Sequence, residues 1–117
     1  MRLESRKYLY DIEEAATLAS QFTRGKSFQD YRNDAMLRLA VERAFSIIGE
    51  ALVQLARIDP PSAGRITDHQ RIIAFRNILV HAYAHVDNRL VWEIVEYKLP
   101  GLMNEVSELM NDPDEPS

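Results

Sequence analysis

The chain has 117 residues, enough for one domain of ordinary size but small enough that much of its surface stays unburied unless a partner covers it. Hydrophobic residues make up 46% and charged residues 27%, which excludes a disordered chain, and the absence of cysteine excludes disulfides, thiolate metal sites and cysteine nucleophiles. The formal charge of -4 is unevenly spread: residues 32–89 hold eight arginines against six acids, while the flanks hold six bases against twelve acids.

Arginine outnumbers lysine eleven to three. A guanidinium fork matches phosphate oxygens in pairs, so this bias is compatible with phosphate recognition and equally with a solvated surface. No apolar run approaches the roughly 20 residues needed to cross a bilayer. The start, Met1-Arg2-Leu3-Glu4-Ser5-Arg6-Lys7, lacks the apolar core of a signal peptide. The expectation is a soluble, cytoplasmic protein with no membrane association.

Helical spacing runs through the sequence. Leu9, Ile12, Ala16, Ala19 and Phe22 recur at three- and four-residue steps and predict a helix over 3–24, closed by Gly25. Ser27 with Asp30 reads as a capping box that opens the next helix. Met36, Ala40, Ala44, Ile47, Ala51, Leu55 and Ile58 form the longest stripe, which runs to a loop at Asp59-Pro60-Pro61-Ser62-Ala63-Gly64. Thr67, followed by Gln70, reads as the cap of a third major helix with core positions Ile72, Phe75, Leu79 and Ala82. Asp87 caps a fourth helix bearing Val91, Ile94 and Val95. Leu99-Pro100-Gly101 interrupts it before a last helix with Met103, Val106 and Met110. The pattern predicts an all-α protein, an antiparallel four- to five-helix bundle, with one domain over 1–110 and a flexible acidic tail over 111–117.

The polar residues that stand out lie close together. His81 and His85 are four apart and could share a helix face, but a zinc site needs a third protein ligand, and His69 lies far back. The stronger constellation is Arg76-Asn77-x-x-x-His81-x-Tyr83. At about 100° per residue, Asn77 and His81 lie about 40° apart, Arg76 and Tyr83 about 20°, and Arg76 and His81 about 140°. One rigid face therefore does not collect all four. Three arrangements resolve this: the helix ends or bends near His81, the arginine stem reaches round, or a second copy completes the site. A hydrogen-bonded interface patch without catalysis is equally compatible with the composition.

These residues resemble the signature of HEPN-domain ribonucleases, and the tyrosine two past the histidine resembles the HepT toxin branch. The resemblance extends to Tyr8-Leu9-Tyr10-Asp11-Ile12, to Ser27-Phe28 and Tyr31, to Ile47-Ile48-Gly49-Glu50-Ala51, and to Val86-Asp87, Val91-Trp92-Glu93-Ile94 and Leu99-Pro100. Ala44 departs from it, standing where the family pattern has an asparagine.

The resemblance implies a homodimeric endoribonuclease that cuts an RNA substrate without a metal or other cofactor, as a toxin of a toxin–antitoxin pair. It implies catalytic roles for Arg76 and His81 and a supporting or RNA-binding role for Asn77. It implies a cognate minimal nucleotidyltransferase antitoxin, MntA-like, that transfers AMP to Tyr83. A non-catalytic HEPN module that binds a nucleotidyltransferase or a nucleotide is the alternative, and the two part on whether Arg76 and His81 matter for RNA cleavage.

Overall fold

The structure, a computed structural model, describes residues 1–112. Among them are seven α-helices and one 3-10 turn: α1 (Leu3–Thr23), α2 (Phe28–Arg32), α3 (Ala35–Ile58), α4 (Pro60–Gly64), α5 (His69–His81), the 3-10 turn (Tyr83–His85), α6 (Asn88–Tyr97) and α7 (Leu99–Asn111). The all-α expectation holds, and two single-turn helices, α2 and α4, add to the five longer ones. Positions 113–117 of the acidic tail lie outside the described residues. Asn111 closes α7, and Asp112 pairs with Arg65 at 2.6 Å.

The centre of the body is α3, which packs against α1, α5, α4 and α2. On its far side α1 packs against α7, and α6 against α7 and α2. Leu9, Ile12, Ala16 and Ala19 of α1 meet Val41, Ile48, Leu52 and Leu55 of α3 in one core that also takes in Val106 of α7. Each fully buried leucine, isoleucine or valine side chain among them contributes about 1.5–3 kcal/mol. Polar ties reinforce the pairing of α1 with its neighbours. The buried Ser5 hydroxyl donates to Asp59 Oδ2 (2.7 Å), and Arg6 Nη1 donates to the Met110 carbonyl (3.1 Å).

Local chemistry explains most element boundaries. Gly25 takes the left-handed conformation (φ 73°) after α1. The Ser27–Asp30 capping box is formed in both directions, and Asp87 accepts from the backbone N–H groups of Arg89 and Leu90 to start α6. Asp34 caps α3 through the Leu37 N–H. Lys98, at the step before Leu99-Pro100, separates α6 from α7 as expected.

Four expectations need correction. The segment after Asp59 is not a loop. Asp59 accepts from the Ser62 N–H and hydroxyl, and two prolines with fixed φ suit the first turn of a helix. Thr67 does not cap α5, because its N–H and hydroxyl both donate to Glu105 of α7 (3.1 and 2.7 Å), and the chain turns instead through Asp68 at φ 59°. The α3 stripe holds only in part: Ala44, Ala51 and Leu55 are buried as expected, but Met36 is 80% exposed, and Leu37, Val41, Phe45, Ile48 and Leu52 share the core face. Phe22 is exposed and Thr23 takes the buried place in the last turn of α1.

The body measures 50 × 29 × 19 Å. The short dimension equals about two helix diameters. No helix among the described residues is long and apolar enough to cross a membrane.

Candidate functional site

The site is built on α5. The helix leaves its left-handed start at Asp68, which Lys98 Nζ reaches from the α6–α7 junction (3.2 Å), and packs along α3. Phe75 and Leu79 are its buried residues, and the Phe75 ring meets Phe45 of α3 edge-on at 5.7 Å. The helix stops at His81. Ala82 (φ −127°, ψ 37°) departs from helical geometry, and Tyr83 opens the 3-10 turn. The helix ends only after His81, so this stop leaves His81 at its helical azimuth and does not bring it to Arg76. It also separates His81 from His85, which share no helix face, and no three histidine, aspartate or glutamate side chains gather in metal-binding geometry among the described residues.

Arg76 lies at a close approach of α5 to α3. A Cβ built on Gly49 would overlap Arg76 Cβ and stand 2.6 Å from its Cγ, so glycine is required for this approach. The stem of Arg76 covers the glycine. Its Nη2 donates to Glu50 Oε2 (2.5 Å), and its Nη1 donates to Asn77 Oδ1 (2.9 Å). The Nε group is buried with no protein partner. The Arg76 side chain keeps 23% of its surface exposed, and Glu50 keeps 49%. Beside Glu50 a small open cleft of about 180 Å³ is lined by Tyr8, Asp11, Arg43, Ser46 and Gln54 among others.

The His81 side chain is exposed and makes no hydrogen bond to another described residue. Asn77 bonds Arg76 and not His81, so it orients the guanidinium. Both Arg76 and His81 are within the helix, so their directions diverge by about 140°. Within one chain the structure brings Arg76, Asn77 and Glu50 together and leaves His81 on another side of α5. Tyr83 is 75% exposed.

A second feature occupies the other flank of α5. An apolar groove of about 720 Å³ runs between α5 and the α6–α7 pair, with Phe45, Ile72, Phe75, Ile78, Ile94 and Leu102 among its lining. Ala74 also lines it, and His81, seven residues on, lies about 20° from Ala74 in azimuth. His81 thus points toward the groove side of α5 without lining the groove, while Arg76 faces α3.

A family profile described as Ribonuclease HepT-like matches residues 12–109. The chain belongs to the HepT-like ribonuclease family. A Thermococcus cleftensis protein named probable ribonuclease HepT is 34% identical over 113 residues, covering 93% of this chain and 98% of that protein. A candidate RNase of Methanocaldococcus jannaschii is 35% identical over 99 residues (85% and 90% covered), and one of Caldanaerobacter subterraneus is 30% identical over 105 residues (90% and 93% covered). No solved structure matches the chain.

In this HepT-like chain, sequence reasoning noted the Gly49-Glu50 pair as part of a resemblance and assigned it no role. A signal was present. A glycine in the middle of a helix 24 residues long costs helical stability and points to a close approach by another element. The element that approaches is the one carrying Arg76.

Proposed function

We propose that this HepT-like chain is a metal-independent endoribonuclease acting as a homodimer, with His81 as general base and Arg76 as the phosphate-holding cation. The observation that carries the reading is a fixed guanidinium five residues before an unpartnered, exposed imidazole, on one helix of a chain from a ribonuclease family. RNA brings its own nucleophile. His81 removes the 2′-hydroxyl proton and the 2′-oxygen attacks phosphorus. The bond from phosphorus to the 5′-oxygen then breaks, leaving a 2′,3′-cyclic phosphate, and the departing oxygen is protonated by the imidazolium or solvent. Arg76 offsets the charge on the equatorial oxygens. The imidazolium that forms sits at the carbonyl end of α5, where the helix dipole favours a cation.

The divergence of Arg76 and His81 is met by a second copy. A partner packed against α5 can bring its own Arg76 to the phosphate that His81 attends. We place the switch at Tyr83, as the acceptor of AMP from a small partner nucleotidyltransferase acting as antitoxin. Its hydroxyl is accessible, and bulky negative charge two residues from His81 would exclude RNA. The alternative, a non-catalytic binding module, is favoured by one observation: Arg76 is already paired with Glu50 inside the chain.

His81→Ala and Arg76→Ala separate the two. Each variant should keep its helical circular dichroism and lose cleavage of a single-stranded RNA by about 10²–10⁴-fold, with parent activity persisting in chelator. Parent-rate cleavage by folded His81→Ala would remove the site, and activity lost to chelator and restored by zinc or magnesium would remove the mechanism. Tyr83→Phe should cut RNA normally and gain no adenylate mass on co-expression with the nucleotidyltransferase.

A further inference from the structure

Arg76 presents five N–H donors in a rigid fork. The fold engages two of them, Nη2 on Glu50 and Nη1 on Asn77, and buries the Nε beside the seam with α3. Two Nη protons have no partner among the described residues. Glu50 comes from α3 and Asn77 from α5, so the plane of the guanidinium is set from two elements. Gly49 lets the stem lie down against α3, which places the fork within reach of the next residue, Glu50.

We infer that Glu50 is a positioning residue for Arg76: its carboxylate holds the guanidinium plane in the orientation in which the two uncommitted Nη protons meet the scissile phosphate. The inference rests on the ribonuclease reading and deepens it. An arginine side chain has several rotatable bonds, and ordering it at the moment of reaction would raise the barrier. A fork already fixed by the fold removes that reorganisation from the chemical step. The carboxylate has an opposing effect on binding, because it partly neutralises the charge that attracts RNA in the ground state. Glu50 should therefore raise kcat and weaken RNA binding, a split that a merely structural ion pair does not produce.

Glu50→Ala and Glu50→Gln test this with cleavage of a mixed-sequence single-stranded oligoribonucleotide, thermal melts, and nitrogen-15 NMR of the Arg76 guanidinium assigned with Arg76→Lys. In Glu50→Ala kcat should fall about 10- to 100-fold while KM stays level or decreases. Glu50→Gln keeps an oxygen acceptor in place, so its kcat should stay within about threefold of the parent while KM decreases. Melting temperatures of both should stay close to the parent's, because the substituted residue, Glu50, is half-exposed. In the NMR arm, the two Nη groups should give separate signals in the parent and one averaged signal in Glu50→Ala. Parent kcat in Glu50→Ala, or equal losses in both variants with raised KM, overturns the inference, as does a guanidinium spectrum unchanged by the alanine. A parent that cuts no RNA overturns the ribonuclease reading instead, and the NMR arm alone then decides whether Glu50 fixes Arg76.

Discussion

The α1–α3–α7 body and the α5 arm are built by different rules. In the body, helices meet along their lengths, the interface is aliphatic, and polar groups such as Ser5, Asp59 and Arg6 tie one helix to the next. The arm packs chiefly on α3, faces an apolar groove on one flank, and keeps Ile78 and Val80 exposed. The body supplies stability, and the arm carries the residues proposed for the chemistry. An arm buried on all sides would be more stable, but His81 and Arg76 would be out of reach of a polymer substrate.

Truncation tests this division most severely. Leu52→Ala removes a fully buried side chain from the α1–α3 seam and should cost about 2–5 kcal/mol, read as the shift in urea midpoint. Ile78→Asp places a charge in the groove wall. It should change the stability of the isolated chain little and instead push light scattering toward the 13.5 kDa monomer. A large loss of monomer stability there would show that the arm belongs to the body.

A smaller effect sharpens the picture of the body. Burial pushes the Asp59 carboxyl up, but bonds from Ser5 and Ser62 outweigh it and hold the group below the usual carboxylate range. A depressed folded value means a stabilising contribution that is present above the unfolded value of about 3.9 and is lost as pH falls through the folded one. Asp59→Asn should therefore melt lower than the parent at pH 7, and the gap should close as the pH drops below about 4.

The smallest expected effect concerns α2. The Tyr31 ring is fully buried against Trp92, yet its hydroxyl has no protein partner. Tyr31→Phe deletes a desolvated polar group and should leave the melt level or raise stability by about 1 kcal/mol. A clear fall would mean that the hydroxyl is satisfied by bound water.

The sequence-based expectations succeed where one local signal dominates. The capping box at Ser27, the cap at Asp87 and the break before Pro100 are short-range chemistry, and all three are formed. They fail where tertiary contacts choose between local options. α3 has neighbours on several sides, so its apolar arc is broad, and a stripe through Met36 fits the period as well as one through Leu37. Thr67 has the right spacing to cap α5, but a carboxylate from α7 takes its donors. The stop at His81 has neither proline nor glycine to announce it. At the site, Arg76, Asn77, His81 and Tyr83 stand out as polar residues crowded within eight positions. Glu50 does not, because it is 26 residues away and its pairing depends on how two helices cross.

That unannounced stop has a consequence for how the protein opens. α5 is tethered at its start through Thr67 and Asp68 and near its middle through Arg76, whereas the segment after Ala82 is a single short turn at the surface. The free energy needed to expose a backbone amide should thus rise steeply within a few residues. Amides of 83–85 should exchange with deuterium through local fraying, while those of Phe75 and Leu79 wait for the bundle to unfold. An enzyme that captures Tyr83 could draw out this short stretch alone, and the helices behind it would stay folded.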